Sequence, residues 1–151
     1  MDTVTYPDHR VAEFIDRHFL PVRIVLREHP ETAEAYLVSW TPNVVITDAQ
    51  GKVHYRIEGY LPPDDFVARL ALGLGKYLLD GKQFAQAAKH FDEVAQRHAG
   101  TDMGAEALFW LGVSRFKETH DPAQLRPSWQ RLAQEYPHSD WTKRSKIPTK
   151  N

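Results

Sequence analysis

The 151-residue chain contains no cysteine. Disulfide bonds, thiolate nucleophiles and cysteine-ligated zinc sites are therefore excluded for the residues given. Because many redox and metal functions depend on a thiolate, this absence limits the function of the chain more strongly than any motif that it contains.

Long apolar runs and a strong net charge are also absent. No stretch reaches the roughly 20 apolar residues of a membrane-spanning helix, and the first residues, Met1-Asp2-Thr3-Val4, carry no signal-peptide pattern. The formal net charge of −1 provides no field that would attract nucleic acid or an acidic membrane surface. We therefore expect a cytoplasmic protein that binds neither membranes nor nucleic acid.

The polar residues show no pattern of a catalytic or metal site. The chain has eight histidines, but none has the spacing of a known ligand motif such as His-Glu-x-x-His. The adjacent carboxylates Asp64 and Asp65, and Asp92 and Glu93, are typical of helix ends and solvated helix faces. We expect no catalytic residue, metal or cofactor in this chain.

A β-hairpin is predicted in the middle of the first half. The β-branched run 44–46 follows Thr41-Pro42 and ends in the turn sequence 48–51, after which residues 53–58 alternate between apolar and polar. An X-Pro bond is the only common place for a cis peptide. The spacing alone favours an ordinary trans proline at a strand start.

The elements around the hairpin form an ordered series. A helix capped by Asp8 precedes a predicted strand at 22–26, a short helix at 31–37, the hairpin, and a helix that begins at Pro63 and ends at Gly81. This order resembles the C-terminal part of a thioredoxin-like domain over residues 1–79.

The thioredoxin-like resemblance implies a site at the start of the hairpin. In that family the equivalent proline is cis and faces a Cys-x-x-Cys motif. The backbone before it pairs with an extended segment of a bound peptide. By this resemblance, Trp40, Thr41 and Pro42 line a peptide-binding surface.

The chain departs from the family because the Cys-x-x-Cys and the central strand are not among its residues. Residues 1–8 resemble the sequence that follows the second cysteine in one subgroup of this family. Predicted strands 22–26 and 44–47 would then lack their common partner and expose unpaired backbone. We expect one of three outcomes: the two strands pair directly, two copies associate through these edges, or Met1 is an internal methionine of a longer protein.

The second half contains an internal repeat. Residues 91–102 align with 129–140 at an offset of 38, and Leu74-Gly75 precedes Leu111-Gly112 by 37. The tetratricopeptide repeat has a period of 34 and a Leu-Gly, Ala, Phe, Pro series, and this half resembles two such repeats with a capping helix at 138–146. The predicted repeat core comprises Leu74, Gly75, Ala87, Phe91, Leu111, Gly112 and Trp129. The glycines allow the two helices of a repeat to approach closely.

Together these features predict an α/β segment followed by an all-α segment. We expect an incomplete, N-terminally truncated thioredoxin-like fold over 1–79, packed on a tetratricopeptide-like helical array over 64–146, with helix 64–79 shared between them. The predicted function is a redox-inactive scaffold that binds protein or peptide partners and that can self-associate through exposed strand edges. The alternative is a fragment of a thiol:disulfide oxidoreductase or redox chaperone whose Cys-x-x-Cys lies upstream of Met1.

Overall fold

The structure, a computed structural model, describes residues 1–146 of the chain. It divides into two compact units, and the boundary between them falls after Leu74. The first unit is α/β and the second is entirely helical. The predicted fold class, an α/β segment followed by an all-α segment, is confirmed.

The first unit contains two short helices, a hairpin and the beginning of a long helix. Its elements are α1 (His9–His18), α2 (Pro30–Ala35), β1 (Asn43–Thr47), β2 (Val53–Glu58) and the first part of α3 (Pro63–Asp80). The Asp8 carboxylate caps α1 by accepting a hydrogen bond from the Arg10 N–H at 2.9 Å. Hydrogen bonds from Arg10 lower the pKa of Asp8 to about 2, so the cap carries its charge at neutral pH.

The hairpin is antiparallel and pairs Val44 with Ile57 and Ile46 with Tyr55. The register shifts before Thr47, which pairs with Val53 and leaves His54 as an extra residue in β2. In the turn, the Asp48 carboxylate accepts hydrogen bonds from the N–H groups of Gln50 and Lys52 at 3.0 and 2.9 Å. These bonds hold the two strands in one register.

The core of the first unit lies between α1, the hairpin and α3. Its buried side chains are Val11, Ile46, Ile57, Phe66 and Leu70. A Cβ atom at Gly73 would overlap the Ile46 side chain, so α3 lies directly against the hairpin at this point. The absence of a side chain at Gly73 permits this close approach.

The prediction of a strand at 22–26 is wrong. These residues have no regular secondary structure up to Val25, and a turn begins at Leu26. Val22 is 76% exposed and Ile24 is 41% exposed. The sequence is rich in β-branched residues, but a strand forms only where another strand supplies its hydrogen bonds.

Within residues 1–146, the sheet contains β1 and β2 alone. The first expected outcome, direct pairing of 22–26 with 44–47, is therefore also wrong. The helix predicted at 31–37 forms but ends at Ala35. Leu37 has a left-handed backbone with φ of 53° and its side chain is exposed.

The second unit contains the end of α3 and the helices that follow. They are α4 (Phe84–Arg97), α5 (Asp102–Thr119), a 3₁₀ turn (Pro122–Leu125), α6 (Arg126–Glu135) and α7 (Asp140–Ser145). Asp121 caps the 3₁₀ turn, and the α-helix that follows begins at Arg126. Helix α7 lies within the predicted capping helix at 138–146.

In the helix pairs α3–α4 and α5–α6, a glycine of the first helix contacts an aromatic ring of the second. A Cβ atom at Gly75 would lie 2.5 Å from Phe91 Cε1, and one at Gly112 would lie 2.8 Å from Trp129 Nε1. The Trp129 indole N–H also donates to the Phe109 carbonyl at 3.1 Å. The same contact therefore occurs at equivalent positions, with the ring on the second helix of the pair.

Replacing Gly75 by alanine tests this contact. We expect Gly75→Ala to lower the free energy of unfolding by about 1–3 kcal/mol because the added methyl displaces the Phe91 ring. Alanine is the better helix former by about 1 kcal/mol, so propensity alone predicts the opposite sign. Urea denaturation followed by circular dichroism measures the difference.

The control is Glu93→Ala, which changes an exposed position of α4. It should leave the free energy of unfolding within about 0.5 kcal/mol of the wild-type value. If Gly75→Ala were as stable as the wild type or more stable, the close approach of α3 and α4 at this glycine would be disproved.

Candidate protein-interaction site

The segment before β1 is held to the hairpin at Pro42. The Thr41–Pro42 peptide bond is cis. The Pro42 carbonyl accepts a hydrogen bond from the Gly59 N–H at 2.9 Å. Gly59 has a φ of 83°, a conformation that glycine adopts without steric cost. This hydrogen bond ties the two ends of the hairpin together.

The three residues that lead into the hairpin differ in exposure. Trp40 is 72% exposed, Thr41 is exposed and Pro42 is half-buried. Within residues 1–146, no hydrogen bond engages the backbone N–H or C=O of Thr41. The segment thus presents one free peptide donor and acceptor beside a large aromatic side chain.

Arg56 positions the chain that leads to this segment. Its guanidinium donates from Nη2 to the Tyr36 carbonyl and from Nη1 to Asn43 Oδ1, the latter at 3.0 Å. Arg56 therefore joins β2 to the end of α2 and to the start of β1. This role of Arg56 was not predicted from the sequence, because alternation indicates only that Arg56 lies on the polar face.

A second polar pair lies at the other end of the hairpin. His54 Nε2 lies 3.0 Å from Asp48 Oδ2. The pKa of Asp48 is lowered, first by this hydrogen bond from His54 and then by the N–H of Lys52. Asp48 is thus ionised at neutral pH and makes hydrogen bonds with Gln50, Lys52 and His54, so the pair has a structural role in the turn.

The other predicted site residues belong to the repeat core. Ala87, Phe91, Leu111 and Gly112 are buried, as is Gly75, whereas Leu74 and Trp129 are half-buried. The structure brings Gly75 against Phe91 and Gly112 against Trp129. These residues pack the helices and provide no reactive group.

An aromatic cluster in the second unit was not predicted as a unit. The Phe109 and Trp129 rings stack with centroids 5.3 Å apart, and Trp141 lies against both Phe109 and Trp110. The Lys76 ammonium lies 3.6 Å from the centroid of the Trp110 ring. The available signal was the Phe109-Trp110 pair, since adjacent aromatic residues on a helix cannot both face one core.

The part of the chain that the structure describes contains no group of three or more side chains that could hold a metal ion. None of its helices is both long and apolar enough to cross a membrane.

Replacing Arg56 by lysine tests its positioning role. Lysine keeps the charge but cannot make two divergent hydrogen bonds in the guanidinium geometry. Hydrogen bonds to a charged group contribute about 1.5–3 kcal/mol. We therefore expect the Val38 amide, which donates to the Ala33 carbonyl, and the Gly59 amide to exchange with solvent at least about tenfold faster. Hydrogen–deuterium exchange with site-resolved NMR or mass spectrometry measures this.

Arg17→Lys is the matched control, because Arg17 forms an exposed ion pair with Glu13 on α1. It should leave both exchange rates unchanged. Unaltered exchange in Arg56→Lys would show that the segment is ordered by other contacts.

Comparison with protein-family models identifies two regions. A model described as a thioredoxin-like domain matches residues 1–73, and a model described as a tetratricopeptide repeat matches residues 106–139. The second match covers most of α5, the 3₁₀ turn and α6. Searches of curated proteins and of solved structures gave no significant match. The chain therefore combines a thioredoxin-like region with a tetratricopeptide repeat that follows it.

Proposed function

We propose that this chain is a protein-interaction module that binds an extended peptide segment of a partner beside Pro42. The free backbone of Thr41, next to the exposed Trp40 side chain, is the observation that carries this proposal. With no cysteine in the chain, the module acts by binding and performs no thiol chemistry.

The geometry favours a partner in extended conformation. Thr41 lies two residues before β1, and among the described residues β1 pairs with β2 on one edge only. A peptide that pairs with Thr41 would continue along the open edge by strand addition, in which main-chain hydrogen bonds supply affinity and side chains supply specificity. Trp40 provides a large, rigid contact surface for one side chain of the partner.

The tetratricopeptide repeat supports the same class of function. Stacked helical repeats form extended surfaces that bind other proteins. We propose that the thioredoxin-like region spans 1–79 and the repeat region 64–146, with helix 64–79 common to both. The continuous helix α3, Pro63–Asp80, supports this assignment.

Peptide display against the immobilised chain tests the proposed function. We expect selection to enrich peptides that bind the wild type when resynthesised and labelled. Because an exposed aromatic anchor can contribute 2 kcal/mol or more to binding, Trp40→Ala should weaken their affinity at least about tenfold. Fluorescence anisotropy gives the dissociation constants.

The matched control is Tyr77→Ala, which removes another exposed aromatic side chain, 38% exposed, on the part of α3 that belongs to the second unit. It should bind these peptides like the wild type. Failure to enrich any peptide, or equal losses in Trp40→Ala and Tyr77→Ala, would contradict the proposed site. A second copy of the chain is the rival occupant of the unpaired edge of β1. Sedimentation velocity would detect it as a concentration-dependent dimer.

A second candidate function is thiol:disulfide exchange within a longer protein. The thioredoxin-like match over residues 1–73 favours it. This chemistry requires a thiolate that attacks a disulfide sulfur, so the Cys-x-x-Cys would have to lie upstream of Met1. The intact mass of the protein isolated from its native cells, before and after thiol alkylation, separates the two functions. A mass of 17.4 kDa without alkylation excludes the second candidate, and a heavier, alkylated protein supports it.

A further inference from the structure

Helix α2 ends in a Schellman motif that places Leu37 in a left-handed conformation. The Val38 N–H donates to the Ala33 carbonyl at 2.8 Å. The Leu37 N–H donates to the Glu34 carbonyl at 3.0 Å. These are the two hydrogen bonds that define the motif. The φ angle of Leu37 is 53°, so Leu37 is the residue at which the chain turns away from α2.

Leucine is an unfavourable residue at this position. A side chain with a Cβ atom is crowded in the left-handed conformation, and glycine or asparagine usually occupies this place in the motif. Leu37 is also 83% exposed, so its apolar side chain is in contact with water. Strained residues of this kind are concentrated at ligand-binding and catalytic sites. Neither the turn after α2 nor burial in a core accounts for a leucine here.

Helix α3 ends in the same motif, with Lys82 in the place of Leu37. The Gln83 N–H donates to the Leu78 carbonyl at 2.9 Å, and the Lys82 N–H donates to the Leu79 carbonyl at 3.0 Å. The φ angle of Lys82 is 60°, and its charged side chain is exposed. The same backbone conformation thus occurs on the second unit without an exposed apolar side chain, which makes Lys82 a matched position for a control.

Leu37 and Trp40 lie in one short loop that is fixed at both ends. Arg56 donates to the Tyr36 carbonyl at the start of the loop, and the Pro42 carbonyl accepts a hydrogen bond at its end. The separation of three residues limits the distance between the Cα atoms of Leu37 and Trp40 to about 11 Å. Two exposed apolar side chains are therefore held close together beside the free peptide group of the proposed site.

We propose that Leu37 is a second apolar anchor of the site beside Pro42 and determines which peptides bind there. The partner segment places one apolar side chain on Trp40 and another on Leu37. Binding would remove the Leu37 side chain from water, which offsets the unfavourable exposure of the free chain. The inference rests on the proposed function and names the class of peptide that the site accepts.

The spacing of the two anchors sets that class. In an extended strand, residues two positions apart share a face and are separated by about 7 Å, against about 13 Å for residues four positions apart. The shorter spacing fits within the limit of about 11 Å between the two anchors. The preferred segment therefore has two apolar residues separated by one residue of any type.

The test uses the peptides that display selects on the wild-type chain, resynthesised and labelled for fluorescence anisotropy. Leu37→Asn should weaken their binding about tenfold, because it removes the apolar contact. Asparagine tolerates the left-handed conformation, so the melting temperature and the exchange rate of the Val38 amide should not deteriorate. Leu37→Gly, which also suits this conformation, should weaken binding to a similar extent.

Lys82→Asn is the control, because it makes a substitution at the equivalent left-handed position of the other motif. It should change the affinity for these peptides less than about twofold. Unchanged affinity in both Leu37 variants, or equal weakening by Lys82→Asn, would overturn the proposal. A concentration-dependent dimer that Leu37→Asn abolishes would also overturn it, since a second copy would then cover Leu37.

A second selection, on the Leu37→Asn chain, tests the class of peptide. Peptides selected on the wild type should share two apolar positions separated by one residue, and those selected on Leu37→Asn should retain only one. Peptides that depend on Trp40 but not on Leu37 would overturn the second anchor and leave the proposed function intact. Failure to enrich any peptide on the wild type would contradict both.

Discussion

The first unit depends on the packing of α3 against the hairpin. An isolated two-stranded hairpin is at best marginally stable in water and needs a helix or further strands to cover one face. Here Phe66 and Leu70 of α3 cover Ile46 and Ile57, and Gly73 lets the helix approach closely. Helix α3 covers a face of the hairpin and not an edge. It therefore stabilises β1, while one backbone edge of β1 pairs with no strand among residues 1–146.

The limits of sequence-based prediction follow from the same distinction between face and edge. The hairpin and the positions of the helices were predicted, although the helix expected at 31–37 ends at Ala35, since turn residues, caps and hydrophobic periodicity are local signals. The segment 22–26 has an equally clear local pattern, yet it forms no strand. Its pairing requires a partner at a distance in the chain, and no local pattern reports whether that partner is present.

The candidate sites show a similar division. Trp40, Thr41 and Pro42 were identified through a family resemblance, and the matched glycine positions through an offset in the sequence. The Arg56 hydrogen bonds and the contact of Lys76 with the Trp110 ring were not predicted, because they join residues 13 to 34 positions apart in the chain. Such contacts exist only after the hairpin and the helices have packed.

Binding and thiol chemistry have separate physical requirements in this chain. Peptide capture beside Pro42 requires a free backbone donor and acceptor, an open strand edge and a contact surface. Thr41, β1 and Trp40 supply these within the first unit. Thiol exchange requires a thiolate, which none of the 151 residues can provide. On this proposal, recognition depends on these residues in either candidate function, and an upstream Cys-x-x-Cys would add thiol chemistry to the proposed binding surface.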